Sequence, residues 1–311
     1  MPTVLPDLSI RQLEYLVAVA DAPSWAVAAA RVGVSPSALS QGLAELERRV
    51  GLPLFDRQGR RRVLRADARP VLDHARQVTA LTGDLARWAD RIREGDEGRL
   101  GVGMIDAAAI HHHSDVMRRF RDAHRGLRLH LRVAPSGELL DELTAGELDL
   151  VVCVEPVEPV PGITVEPLLV EQLGVYRPDG RRAGEPASWG AWVLFPPGSH
   201  TRSVAESALR TLGAPVEVVA ESHQPEVLRE MVELGLGWTV LPVVQAESGD
   251  RPLVRARILT ERRLVTAVRS GAATSPAAAA LLAALRDSSR QGGSALAVSP
   301  PSSAGMGSHR E

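Results

Sequence analysis

Between Ala66 and Glu94, apolar side chains fall at Val71, Val78, Leu85 and Ile92, seven residues apart, and His74, Leu81 and Trp88 follow the first three at an offset of three. A heptad seam kept over that length describes one long helix with a narrow apolar stripe, and a helix cannot cover its own stripe. It asks for a second helix, most simply from another copy of the chain, so Val71, Val78, Leu81, Leu85, Trp88 and Ile92 are expected to dimerise. One long helix lying on its own body is the alternative. Either way the helix divides the chain into a head (1–65), a linker helix (66–95) and a body from 98 onward, in keeping with about two domains for 311 residues.

The charge follows the same division. Whole-chain net charge is -2, which excludes a generally basic coat protein for nucleic acid or a polybasic membrane binder. The head, however, holds nine Arg against six acidic residues, and the rest holds 27 Arg against 32. All 36 basic residues are Arg, which removes Schiff-base and pyridoxal-phosphate chemistry and the lysine of a phosphate-binding loop. The single cysteine, Cys153, lies in the apolar run Leu150 to Val154 and reads as a buried strand thiol. One cysteine forms no disulfide framework and no Cys-rich zinc site, which fits a reducing compartment. Neither a leader nor an apolar stretch of 18 residues is visible, so a cytoplasmic location without membrane contact is expected.

In the head, Ser9 and Gln12 stand at capping-box spacing before Leu13, Leu16, Val17 and Ala20, the one-face pattern of a helix. Ser24 caps a short alanine-rich helix stopped by Gly33, and Ser35 caps a third with Pro36 in its first turn. The third helix buries Leu39, Leu43, Leu46 and Val50 and turns Ser37, Gln41, Ala44 and Arg48 outward. Residues 54–64 then read as a hairpin with a basic tip. A helix-turn-helix followed by such a hairpin is a winged helix, whose third helix enters the DNA major groove. Ser35, Pro36, Ser37, Ser40 and Gln41 open that helix, with Gln suited to adenine; Arg48 lies further along it. Arg57, Arg60, Arg61 and Arg62 supply phosphate contacts, which give affinity without sequence information.

Beyond residue 98 strands alternate with helices, an α/β architecture with mainly parallel sheets and two similar lobes flanking a cleft. The first lobe takes about 98–165 and 266–287, the second about 166–265, and the Ser- and Gly-rich tail 288–311 is expected to be disordered. His111, His112 and His113 point about 100° apart on a helix and cannot all bind one metal in a regular geometry without help from His200 or His223, so they read as helix-terminal, hydrogen-bonded histidines, with a metal or pH sensor the alternative; His113 faces Met117 and Phe120. Ser199-His200 is no dyad, because neighbouring side chains diverge, and Glu155 and Glu158 read as solvated. No catalytic constellation, metal site or cofactor motif emerges.

Several blocks carry a resemblance: Ala28-Ala29, Val34 to Ser40, Leu46-Glu47, Gly51 and Leu54 to Arg57 in the head, and Gly146 to Leu150, Gly198 to Arg202 and Val232 to Pro242 in the body. In order and spacing they are similar to the LysR-type transcriptional regulators, over roughly 8–287. The resemblance implies a winged-helix head, a dimerising linker helix, an effector domain similar to periplasmic binding proteins, and assembly as a homodimer or homotetramer on promoter DNA. The chain departs from the family pattern at Leu64-Arg65-Ala66-Asp67-Ala68, where Asp67 is placed to take over the altered helix cap. It departs again at His112-His113-Ser114, close to the cleft, and Trp25 replaces a smaller residue and is expected in the core.

The resemblance also places the cleft. Ser136, Ser199 and Thr201 stand at helix starts, where hydroxyls beside exposed N–H groups bind anions. Ile105 and Asp106 end the first strand, His200 adjoins Ser199, and Ser222 and His223 follow the strand ending at Ala220. A small effector, more anionic than cationic, is expected there, with Arg202 the nearest counter-ion. The expectation is a non-enzymatic, ligand-responsive DNA-binding regulator; the alternative is a small-molecule-binding protein or enzyme on the two-lobed fold.

Overall fold

The computed structural model describes residues 7–58, 61–94, 98–180, 183–272 and 274–295. In the head, α1 (Ile10–Asp21), α2 (Trp25–Arg31) and α3 (Pro36–Val50) are followed by the hairpin β1 (Phe55–Gln58) and β2 (Arg61–Leu64). Ser24 accepts the N–H of Val27, Ser35 that of Ala38, and Gly51 closes α3 at φ 78°. α1 and α3 cross so closely that a Cβ at Gly42 would stand 2.7 Å from the Tyr15 ring. Leu13, Leu16, Leu39, Leu43, Leu46 and Leu54 form the core beneath them.

A short 3-10 turn, 66–68, leads into α4 (Arg69–Glu94). Asp67 does not cap it: the carboxylate is held by Arg65, which also bridges to Asp56, each at 2.9 Å. The heptad seam is divided among three environments. Val71 and Val78 pack on the head core beside buried Leu72 and Ala75. Leu81 borders a crevice with Gly162, Ile163 and Arg269 of the body. Leu85 and Trp88 are 60% and 45% exposed, and the side chain of Ile92 lies outside the described residues. The head and body thus cover Val71, Val78 and Leu81, while His74, Leu85 and Trp88 are exposed.

The body is built on a six-stranded sheet of order β4-β3-β5-β10-β6-β9: β3 (Arg99–Met104), β4 (Arg128–Val133), β5 (Leu150–Val154), β6 (Ile163–Tyr176), β9 (Thr239–Pro242) and β10 (Arg255–Arg269). β7 (Trp192–Leu194) and β8 (Val218–Glu221) make a small parallel pair joined to it by a bridge from Trp192 to Trp238. The expected mainly parallel sheet is in fact mixed. β3 runs parallel to β4 and β5, but β10 runs antiparallel to β5 and β6, as does β6 to β9. The long strands β6 and β10 pass from the core around Leu100, Val151 and Leu264 to the core around Leu173 and Trp238, and a strand returning along the one it left must run antiparallel. Around the sheet lie α5 (Ser114–Ala123), α6 (Ser136–Thr144), α7 (His200–Thr211), α8 (Pro225–Glu233), α9 (Val243–Ala246) and α10 (Pro276–Ala295). α10 continues through residue 295 where a disordered tail from 288 was expected: Ser288, Ser289, Gly292 and Gly293 are weak helix formers, but they extend a helix already nucleated over the Ala- and Leu-rich stretch 276–286, and propagation costs less than nucleation; 296–311 lie outside the described residues.

Arg269 fastens the body to the linker helix. Only 5% of its side chain is exposed, and it donates to Asp84 Oδ2 at 2.9 Å, to Asp84 Oδ1 at 2.7 Å and to the carbonyls of Leu143 and Leu148.

Candidate functional site

Two surfaces stand out, one on the head and one between the cores of the body. On the head, Pro36, Ser37, Gln41 and Arg48 are exposed along α3, with Ser40 half-buried. Ser35 is spent on the helix: its hydroxyl accepts Ala38 N–H at 3.2 Å and lies 2.9 Å from Ser37 Oγ. Arg48 is drawn along its own helix by Glu45, whose carboxyl is pulled down to about 2 by hydrogen bonds from Arg48 and Arg49. The wing pairs Arg57 with Arg62 and Gln58 with Arg61 in antiparallel register; Arg60 and the side chains of Arg57 and Arg61 lie outside the described residues. Arg62 stacks on Trp25 at 4.7 Å, and Trp25 meets Phe55 edge-on at 5.3 Å. Trp25 is therefore a half-buried prop between α2 and the wing. Glu47 completes the wing by accepting Leu54 N–H at 2.7 Å and Phe55 N–H at 3.3 Å. The sequence motif contains Glu47 but does not reveal this tie.

In the body, a cleft of about 610 Å³ opens between the two ends of β6 and β10. Of the residues expected there, Ile105, Asp106, Ser136, Ser199, Thr201 and His223 line it. His200 and Ser222 stand beside it: His200 Nδ1 is 3.2 Å from Val154 O, and Ser222 Oγ accepts Gln224 N–H at 3.1 Å. Ser136 does not cap α6, since Pro135 occupies that position; its buried hydroxyl accepts Val154 N–H at 3.2 Å. Ser199 does cap α7, through Arg202 N–H at 3.4 Å. Arg202 turns away from the cleft to Glu206 at 2.6 Å and to Glu221 at 2.5 Å, so the expected counter-ion is committed to the flank of α7.

The cation that does reach the cleft is Arg262, which sequence reasoning misses. It is 4% exposed, faces Glu171 directly across the β10–β6 ladder, and donates from Nε to Glu171 Oε1 at 2.6 Å and from Nη1 to the Thr201 hydroxyl. His112 Nε2 approaches the other Glu171 oxygen at 3.0 Å. Burial pushes the Glu171 carboxyl up, but Arg262 and His112 outweigh it and hold it below the usual carboxylate range. The row His112–Glu171–Arg262–Thr201 thus links α7 to the chain ahead of α5 across the two long strands. Asp106 is pushed upward by burial, against the pull of Ala107 N–H, Arg262 and Gln245. His111 to His113 lie at the end of a π-helical turn (108–112), not in a regular helix ending as expected. His113, 1% exposed, has no hydrogen-bond partner for either ring nitrogen among the described residues, and burial together with neighbouring His112 holds its pKa down at about 4. Among the described residues no group of three or more His, Cys, Asp or Glu is arranged to hold a metal ion, and no helix is long and apolar enough to cross a membrane.

A winged-helix head on a long helix, followed by a two-core domain with a cleft, defines a helix-turn-helix regulator with a ligand-binding body. Comparison with known proteins gives the family. Residues 10–68 match the bacterial regulatory helix-turn-helix protein of the lysR family, and 93–290 match the LysR substrate binding domain. A probable hydrogen peroxide-inducible genes activator of Streptomyces viridosporus is 31% identical over 300 residues, covering 91% of this chain and 95% of the relative. The regulator IlvR of Caulobacter vibrioides is 30% identical over 246 residues, 76% of this chain and 82% of its own. Among solved structures, a full-length variant of OxyR from Pseudomonas aeruginosa superposes with a TM-score of 0.62 at 22% identity, covering 91% of this chain and 95% of that one. CbnR, a LysR family transcriptional regulator, gives 0.59 at 20% identity, covering 91% and 99%. The chain belongs to the LysR family of DNA-binding transcriptional regulators.

Proposed function

We propose that this regulator reads promoter DNA through Ser37 and Gln41 of α3 and holds the phosphates through Arg57 and Arg60 to Arg62, while a small effector in the cleft of the body sets its activity. The observation that carries the reading is the exposed polar face of α3 beside a basic wing, on a chain whose body also offers a ligand-sized cleft. The protein acts in the cytoplasm, as a dimer or tetramer, and without catalysis; its curated relatives are regulators. A solved complex of CbnR with its target DNA and a LysG structure with bound effector Arg show both kinds of partner for structural neighbours at 21% and 19% identity. Lobe boundaries near 165 and 266 accord with the course of β6 and β10. The likeness to peroxide regulators does not carry thiol sensing to this chain. Cys153, its single cysteine, is fully buried in β5 and burial pushes its thiol up to about 12, whereas a peroxide sensor needs an exposed thiolate.

Selection of binding sites from randomised DNA tests the recognition. Gln41→Ala should change which bases are preferred, at a cost of about 1–3 kcal/mol for a bidentate contact, and Arg57→Ala should weaken all sequences alike. Unchanged preferences in both variants would remove α3 from base recognition. For assembly, Leu85→Asp should lower the mass measured by light scattering and with it tight operator binding, since Leu85 and Trp88 are exposed apolar residues of the seam. Wild-type mass in a folded Leu85→Asp variant would place the subunit contact elsewhere.

A further inference from the structure

The polar groups of the cleft fall into two kinds. Ser136 and Thr201 are 7% and 5% exposed, and their oxygens accept Val154 N–H and Arg262 Nη1 respectively. Ser199 Oγ accepts Arg202 N–H. Each of the three hydroxyls therefore accepts one hydrogen bond inside the fold, and none donates its own O–H to another group among the described residues. Three O–H donors left over on one cavity call for an acceptor-rich group, and a carboxylate meets that need.

Asp106 and Glu226 line the same cleft, and neither has an ion pair among the described residues. Each stands at the start of a helical segment, and compensation of the helix dipole by itself would account for a carboxylate there. Dipole compensation does not account for both facing one cavity in which Arg262, the one arginine lining it among the described residues, is already neutralised by Glu171 at 2.5 Å. A plain anion would meet those two carboxylates with only the Glu171-paired Arg262 to offset them. A group with N⁺–H donors would satisfy them.

We propose that the effector is an amino-acid-class zwitterion: its carboxylate takes the hydroxyl protons of Ser136, Ser199 and Thr201, and its ammonium faces Asp106 and Glu226. The rest of the ligand lies along Ile105, Ile110, Val133 and Phe195, which line the cavity between polar groups and favour an apolar side chain. The inference rests on the reading of the cleft as the effector site and refines the sequence expectation of an anion by adding the positive end.

The test is thermal shift and calorimetry on the full-length protein with the proteinogenic L-amino acids, each followed by its decarboxylated amine and its deaminated acid. At least one amino acid should stabilise the protein, with both truncated analogues binding about tenfold or more weakly, the size of a lost charge-assisted hydrogen bond. Asp106→Asn or Glu226→Gln should weaken that amino acid by a similar factor while its deaminated acid binds at least as well as to the wild type. Failure of every amino acid to stabilise overturns the proposal, and so does a deaminated acid that binds as tightly as its parent. Val133→Trp, at a position 44% exposed, narrows the cleft; Ile110→Trp, at 57%, serves if the first variant does not fold. Binding that survives the narrowing refutes the cleft as the effector site. Binding lost on narrowing but indifferent to Asp106→Asn and Glu226→Gln keeps the cleft and refutes the zwitterion.

Discussion

Replacing Asp84 by Ala removes the carboxylate that fastens α4 to the body. Arg269 and Asp84 are 5% and 8% exposed and share two hydrogen bonds, at 2.7 and 2.9 Å, so neither water nor salt screens them well. Breaking a buried pair by taking away one partner costs about 3–5 kcal/mol. Here Asp149 remains 3.5 Å from Arg269 Nη2 and the carbonyls of Leu143 and Leu148 stay in place, so the guanidinium keeps part of its compensation. The expected loss is about 2–3 kcal/mol, below the full penalty. Urea unfolding followed by far-ultraviolet circular dichroism measures it, and hydrogen exchange should show faster opening of α4 near residue 84. A double-mutant cycle with Arg269→Met isolates the pair. A folded Asp84→Ala variant within a few tenths of a kcal/mol of wild type, with α4 amides as protected as before, would refute the claim that this pair holds linker to body.

His113 predicts a pH dependence. Its folded pKa of about 4 lies below the 6.5 of an exposed imidazole, so the unfolded chain takes up the proton first. Its contribution is complete above about pH 6.5 and is lost as pH falls toward 4, by roughly 3 kcal/mol, and His113→Leu should flatten that part of a stability-against-pH curve. An unaltered slope in the variant would show that another group titrates there. Glu47→Ala leaves the amides of Leu54 and Phe55 without their acceptor; it should destabilise the head by about 1–3 kcal/mol and weaken DNA binding for all sequences, read by thermal unfolding and a titration against operator DNA. Weaker binding to some sequences only would mean that Glu47 acts on recognition rather than on the wing.

Local signals serve well where a single turn decides the structure. Ser24, Ser35 and Ser199 cap the helices their positions announce, because a cap needs only its own next residues. Ser136 falls one residue away from its expected role because Pro135 already supplies the extended turn. Arg262 and Glu171 stay invisible for a different reason: they are 91 residues apart, Arg262 lies in the charged run Glu261 to Arg263 and Glu171 beside Gln172, and no spacing rule singles either out. The full length of β10 is hidden likewise, since its stretch from Arg255 to Arg263 mixes charge with apolar residues and only the end from Leu264 reads as core. The heptad seam is legible as a pattern. What covers it is not, because head, body and a second subunit are equivalent partners at the level of spacing.

Trp189, Trp192 and Trp238 pack together in the second core, with ring centroids 5.5 to 6.5 Å apart, each 3% exposed or less. The remaining two indoles are Trp25 on the head and Trp88 on the linker helix, and the first core, around Leu100, Val151 and Leu264, has none. The molecule's intrinsic emission is therefore a local signal: three dry indoles, close enough to exchange excitation, report on one half of the body, Trp25 reports on the head and Trp88 on the linker helix. A melt followed by tryptophan fluorescence will register loosening of the second core early. It will be nearly blind to the first core, so a substitution that damages β3, β5 or α10 can pass as harmless by that probe while the helical signal has already fallen.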